Sequence, residues 1–487
     1  ILGRGTSRAR EQRPKFQVTV YTTPVATIIC GDRKVMGSFE AGWLELYNSH
    51  GDTGETKNLA AAMPDKAKEI HAPMPTPNKG AAAPAGYQFC RETEQGCRYI
   101  KGMASTMTEH SSPSDSSITV PTLELLAREG WNVQHRSVPR AGIVEHFVTV
   151  TGREPWRMGA VIVALAGMLR EVDAKIVSCE VVGRGVKDAA LSAMRRAFGR
   201  VQWPVTWLED NVPDMVCVEV WAVSGSSVEP MEYGGQIAGT LFEDEDYKYV
   251  QLGNVLPPDL TLPPGEQSAQ LFAKFDKVLG VLGWDFHDTA RTWFYNRDIL
   301  AWYDDFNRVR REFFKERGVF DRYVPASTAV GCDNASGAGL VAKLLGAKPK
   351  GKAPRVVPTP SPLQCPAIEY GSAFSRGAEM GSKGQRRVLV SGTASIEPAG
   401  ATARVGDLDG QVELTMDVVA AILEGRGLSW GHVVRAMGYF ASPDALGAWE
   451  RYVESHDLPD FPSAIFNATV CRDDLLFEFE CDALECL

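Results

Sequence analysis

The chain has 487 residues, 44% of them hydrophobic, and a formal charge of −10, which is enough for about two to four globular domains. The acidic balance excludes a general nucleic-acid binder, because neutralising phosphates takes clustered Lys and Arg. The longest apolar run, over 158–169, is too short to span a bilayer, and the ten cysteines form no CxxC pair and accompany no HExxH, so neither a membrane span, a zinc site nor a dense disulfide framework is indicated.

Residues 1–140 mix polar and Ala/Pro-rich pieces with little sustained periodicity and are expected to form an irregular or poorly ordered extension. The chain opens on Ile1, and Met103 or Met107 is read as a native start. From 141 onward the apolar pattern alternates between period two and period 3.6. A first unit, 141–240, predicts a strand over 146–151, an apolar helix over 156–169 and a strand over 175–182. It continues with a helix over 187–198 and strands over 204–208 and 215–223. A second unit, 241–365, repeats this order through 247–252, 266–282, 288–295, 299–317, 323–330 and 340–347. The third, 366–487, runs through 387–396, 411–424, 432–440, 445–456, 463–470 and 475–483. Each unit therefore reads β-α-β-α-β-β. In each, a proline (Pro204, Pro325, Pro462) follows the second helix and opens the next strand, where a fixed φ and a missing N–H are tolerated. Three matching orders imply an internal repeat.

The aromatic cluster Trp293, Phe294, Tyr295, Trp302, Tyr303 and Phe306 fits core packing better than base stacking. The last strand carries the chemistry. Period-two alternation puts Leu475, Phe477, Phe479 and Cys481 on one side and Leu476, Glu478, Glu480 and Asp482 on the other. Glu478 and Glu480 then stand roughly 7 Å apart. A carboxyl that enters a desolvated cleft beside another carboxylate is held protonated, which suits it for general acid work.

Several motifs in this third unit, in this order, resemble the Rid (YjgF, endoribonuclease L-PSP-like) superfamily and, within it, the chorismatases. They are Phe374-Ser375-Arg376, VSGTASI over 390–396, Gly406-Asp407 with Gln411, and Val470-Cys471-Arg472 with Leu475, Leu476 and Glu478. In the second unit ILAWYDDFNRVR over 299–310 and PAST over 325–328 also look like chorismatase segments. The resemblance implies an α+β fold of three tandem chorismate-mutase-like units closing into an intrachain pseudo-trimer, hence a monomer, with one working cleft between units two and three. It implies a hydrolase that cleaves the enolpyruvyl ether of chorismate or a related carboxylate and acts on a small anionic metabolite. No cofactor or metal is expected, and the scattered cysteines make a reducing cytoplasm the default compartment. Glu478 takes the place of the general acid. Cys471 matches the branch that releases 3-hydroxybenzoate, although a lone strand cysteine is as well read as a small core residue. Arg376, Arg472 and a cation such as Arg322 are candidates to hold carboxylates, and Ser327 and Thr328 to donate hydrogen bonds or form a turn.

Two alternatives stay open, an enamine/imine deaminase of Rid type and a non-catalytic metabolite-binding protein. The deaminases place a carboxylate-gripping arginine early in the strand before their glutamate, and alignment through Val470 puts Ile465 there. Chorismatases commonly carry a glycine-histidine pair where this chain reads Glu397-Pro398-Ala399-Gly400.

Overall fold

The computed structural model describes residues 122–140, 142–212, 214–382 and 385–486, together with four strands between 15 and 48. It divides into two compact units, Ile1–Ile118 and Thr119–Leu487. In the first, β1 (Lys15–Val20), β2 (Pro24–Cys30), β3 (Arg33–Ser38) and β4 (Trp43–Asn48) form an antiparallel meander in chain order.

The second unit contains three repeats. The first comprises α1 (Leu123–Arg128), β5 (Asn132–Arg140), β6 (Ile143–Gly152), α2 (Met158–Glu171), β7 (Lys175–Val182), α3 (Lys187–Phe198), β8 (Val205–Glu209) and β9 (Val216–Ser224). The second comprises β10 (Glu229–Tyr233), β11 (Gln236–Glu243), β12 (Tyr247–Val255), α4 (Pro264–Val281), β13 (Thr289–Asn296), α5 (Ile299–Glu316), β14 (Ala326–Val330), β15 (Asp333–Asn334) and β16 (Leu340–Pro349). The third comprises β17 (Val357–Thr359), β18 (Gly377–Ser382), β19 (Gln385–Ala394), α6 (Leu408–Glu424), β20 (Val433–Phe440), α7 (Gly447–His456), β21 (Ser463–Asn467) and β22 (Phe477–Cys486).

Three six-stranded sheets result, ordered β15-β8-β7-β9-β6-β5, β10-β11-β12-β16-β13-β14 and β17-β18-β19-β22-β20-β21. In each, the last long strand lies between the strands on either side of α2, α4 or α6. The second helix, α3, α5 or α7, crosses over to a strand that pairs in parallel, as a parallel neighbour requires. The ladders also slip at the same place in all three sheets, between Ile176 and Ser178, Thr289 and Arg291, and Val433 and Arg435. A bulge at one shared position is structural evidence of a repeat that sequence identity no longer shows.

The helices cover the outer face of each sheet. Leu165 and Ala190 pack on Val148 and Val218, Phe272 and Phe306 on Leu252 and Leu344, and Met416 on Val388 and Phe479. The inner faces meet in a further core that joins Phe147 and Trp221, Tyr249 and Trp293, and Met437 and Leu484 from the three repeats in turn. This is the intrachain pseudo-trimer, an α+β fold with three seams. Asn254 N–H donates to Thr206 Oγ1 at 3.0 Å across the first seam, Ser327 N–H to Ser391 Oγ at 2.9 Å across the second, and Ser463 N–H to Gln134 Oε1 at 3.0 Å across the third.

Each repeat is longer at its N-terminal end than expected. β5 precedes 141, β10 and β11 begin before or straddle 241, and β17 precedes 366, because every sheet gains antiparallel edge strands ahead of its first expected strand. These edges are partly exposed and mix polar with apolar residues, as Asn132–Arg140 does, so they give no clear apolar alternation. The stretch 1–140, expected to be irregular, thus supplies β1 to β4, α1 and β5; its remainder lies outside the described residues.

Candidate active site

The alternation read for the last strand holds from Phe477 onward; Leu475 and Leu476 precede the strand, and Leu475 packs with Ile396 and Val470 instead of the phenylalanines. Phe477, Phe479 and Cys481 pack outward under the helices, while Glu478, Glu480 and Asp482 point to the seams, all of them buried. Glu480 is saturated. Arg291 donates to it at 2.7 Å, Trp293 Nε1 at 2.8 Å and Arg435 at 3.2 Å, and the Thr328 hydroxyl also donates to it. Burial alone would raise its pKa, but the Arg291 and Arg435 guanidiniums outweigh burial and hold this carboxyl below its ordinary value.

Glu478 has the opposite surroundings. Among the described residues no hydrogen-bond donor reaches its carboxyl, which faces a small chamber at the seam between the second and third repeats. Burial, and then the charge of Glu480, push its pKa up to about 8 against the pull of Arg376. Two carboxyls on one strand face are thus driven apart, one an obligate anion and the other an acid at neutral pH, the pattern by which environment assigns proton-transfer roles.

The chamber is built from both repeats. α5 contributes Tyr303 and Arg310, and β14 contributes Ser327 and Ala329. From the third repeat come Arg376, Gly392, Cys471 and Arg472. The ladder between β19 and β22 slips between Val390 and Thr393, and at Gly392 a Cβ would collide with Glu478 Oε1. A side chain there would displace that carboxyl.

Three guanidiniums line the chamber without a carboxylate partner among the described residues. Arg376 is 3% exposed and donates from Nε and Nη2 to Cys365 O at 3.1 and 3.0 Å, stacked 5.4 Å from the Tyr370 ring. Arg472 donates to Gly400 O at 2.8 Å. Arg310, 1% exposed, donates to Asn307 Oδ1 at 2.6 Å, and its buried Nε has no partner. A buried cation held by neutral acceptors retains its charge for an anion.

Cys471 also lines the chamber. Burial pushes its thiol up to about 12, the charge of Glu478 adds to this, and a hydrogen bond with Tyr303 opposes it. It is a thiol at neutral pH and has no thiolate character. Ser327 lines the chamber, with its hydroxyl 3.0 Å from Thr292 Oγ1. Thr328 does not: strand alternation turns it inward, where it serves Glu480 and accepts from Gly392 N–H at 2.9 Å. Arg322 is exposed and off the chamber; Arg310 stands there instead. Tyr303, expected only in the core, is a chamber wall. Ile465 lies at a different seam, since the strand facing Glu478 comes from the preceding repeat, with Ala329 on the chamber. A sequence signal for Arg310 existed, because it shares the apolar stripe of α5 with Phe306 and Phe313.

The chamber measures about 40 Å³ and adjoins a wider, open vestibule of about 670 Å³ walled by 300–305 and 471–474; Tyr303, Cys471 and Arg472 border both. Among the described residues no group of His, Cys, Asp and Glu could hold a metal ion, and no helix is long and apolar enough to cross a membrane.

The equivalent positions in the other repeats carry no acid. Glu478 lies opposite Tyr439, as Val341 lies opposite Tyr295 and Cys217 opposite Val182, four residues beyond the shared bulge in each case. Fold and site together define a three-repeat pseudo-trimer in which Glu478 places a buried carboxyl at the seam between the second and third repeats.

No protein-family model and no curated protein sequence matches the chain. Among solved structures, it is similar to a chorismatase at 19% identity, over 63% of this chain and 92% of that one, with a TM-score of 0.47. It is similar to the YjgF gene product of E. coli at 20% identity, over 26% of this chain and 98% of that one (TM-score 0.22), and to yeast Mmf1 at 18%, over 27% and 98% (TM-score 0.23).

Proposed function

We propose that the chain is a Rid/YjgF-type hydrolase of the chorismatase kind, which cleaves the enolpyruvyl ether of chorismate or a related carboxylate. The observation that carries this reading is Glu478, a carboxyl with its pKa raised to about 8, facing a chamber lined by Arg310, Arg376 and Arg472. The guanidiniums bind the substrate carboxylates. Glu478 gives its proton to the methylene carbon of the enol ether, and an oxocarbenium-like centre forms at the ether carbon. Water adds there and loses a proton to the Glu478 carboxylate, and the hemiketal collapses to pyruvate and the alcohol. The anionic Glu480 raises the proton affinity of Glu478 and lies near the developing positive charge. Cys471 acts as a neutral thiol on the wall that orients the ring.

Substrate enters from the vestibule, past Tyr303, Cys471 and Arg472, and a ring the size of chorismate requires these side chains to move. The small chamber favours a second reading, a Rid-type deaminase acting on a short 2-imino acid. Against it stands Ala329 on the strand facing Glu478: the arginine that the Rid deaminases carry on that strand is missing, and the guanidiniums present come from other elements. Incubation with chorismate decides: pyruvate is expected from the wild type and not from Glu478→Gln. No pyruvate from either, with ammonia released from a short imino acid by the wild type alone, would replace the first reading by the second. Neither product would leave a binding protein.

A further inference from the structure

The seam between the third and first repeats has the same construction as the seam that holds Glu478. There, α5 and β14 of one repeat face β19 and β22 of the next; here, α7 and β21 face β5, β6 and the start of β9. Strand registers fix the correspondence. Thr328 pairs with Trp293 as Ala464 pairs with Met437, and Trp293 and Met437 pair in turn with Lys343 and Glu480. Ser463 and Ile465 therefore stand where Ser327 and Ala329 do, and Cys217 stands where Glu478 does. At the remaining seam a Cβ on Gly253 would lie 2.9 Å from Pro204 Cβ, so the two backbones are in close contact there.

The third-to-first seam is open, with a cavity of about 780 Å³. Its apolar lining includes Trp131, Trp449, Phe461, Ile465 and Met215. Its mouth is acidic: Glu450, Glu454 and Asp460 are exposed there, Glu129 and Glu154 are paired to Arg157, and Arg153 is the basic residue among the lining side chains. Cys217 holds the position equivalent to Glu478 in this repeat, so no carboxyl stands there. The cleft retains the size and aromatic lining of a small-molecule site.

We propose that this cleft is a second, non-catalytic binding site that takes a small aromatic ammonium ion, its ring against the partly exposed Trp449 and its charge at Glu450 and Glu454. Apolar burial and an indole face favour the ring, and the acidic mouth selects cation over anion. The selectivity is opposite to that of the arginine-lined chamber, so the two sites take different ligands.

Titration calorimetry with two probes of one size and opposite charge, phenethylammonium and 3-phenylpropanoate, tests this. Phenethylammonium is expected to bind one-to-one, at least about tenfold tighter than 3-phenylpropanoate, both to the wild type and to Glu478→Gln. The surface double variant Glu450→Lys/Glu454→Lys should reverse the preference with an unchanged melting temperature. Absence of saturable phenethylammonium binding, its loss in Glu478→Gln, or a preference unaltered in the double variant would overturn the proposal. Pyruvate release is measured separately, so neither reading falls with the other.

Discussion

Replacing Glu478 by Gln should make the protein more stable in alkali, and this tests the raised pKa without any substrate. The side chain is 5% exposed and its pKa rises from an ordinary 4.5 to about 8. Between those values the native state holds a proton that the unfolded chain has released, so stability falls as pH rises through this window. Below about 4.5 both states are protonated and the group contributes nothing; above about 8 both are ionised and the full penalty is present. At about 1.4 kcal/mol per pH unit the gap corresponds to roughly 5 kcal/mol, an upper bound because water entering the chamber screens the charge. Gln keeps the shape and does not titrate. Urea denaturation of wild type and Glu478→Gln at pH 5 and pH 9 measures the difference. The wild type should lose several kcal/mol relative to the variant at the higher pH. Parallel stability curves for the two proteins would refute a desolvated, proton-holding Glu478 and with it the assignment of general acid.

Activity should follow the same group, with pyruvate release falling as pH rises through about 8, read from initial rates across pH 6 to 9.5. Gly392→Ala should displace the Glu478 carboxyl, lowering kcat by about tenfold or more while costing about 1–3 kcal/mol of stability for overpacking, as steady-state kinetics and thermal unfolding would record. Arg310→Met removes a cation with an unpartnered Nε and keeps the buried stem; KM for a dicarboxylate should rise by about tenfold or more, with little loss of stability, since burying that charge is itself unfavourable. We expect a monomer of 53.1 kDa by light scattering, and a homotrimer would contradict an assembly completed within one chain.

The order of elements was legible because it depends on local periodicity. Lys175–Val182 and Lys187–Phe198 fall at the boundaries that apolar spacing gives. The edge strands β5, β10, β11, β17 and β18 were not legible, since a partly exposed edge needs no continuous apolar face. Glu478, Cys471, Arg376, Arg472 and Ser327 were found from motifs and do share one chamber. Arg310 and Gly392 were missed. The signal at Arg310 was its place on the apolar stripe of α5 with Phe306 and Phe313, whereas a glycine's need for space is set by a side chain 86 residues away. Thr328 does donate a hydrogen bond, but to Glu480 across two repeats and not into the chamber.

The sequence by itself determined the repeat, the alternation of the last strand and the pairing of two carboxyls on one face, all consequences of period and propensity within a few residues. Only the tertiary structure decided which carboxyl is the acid. Glu480 meets Arg291 from another repeat and Arg435 from a neighbouring strand, while Glu478 faces a small chamber in which no donor among the described residues reaches its carboxyl. Their chemical difference arises from desolvation and charges brought together across a seam, and such distances have no counterpart along the chain.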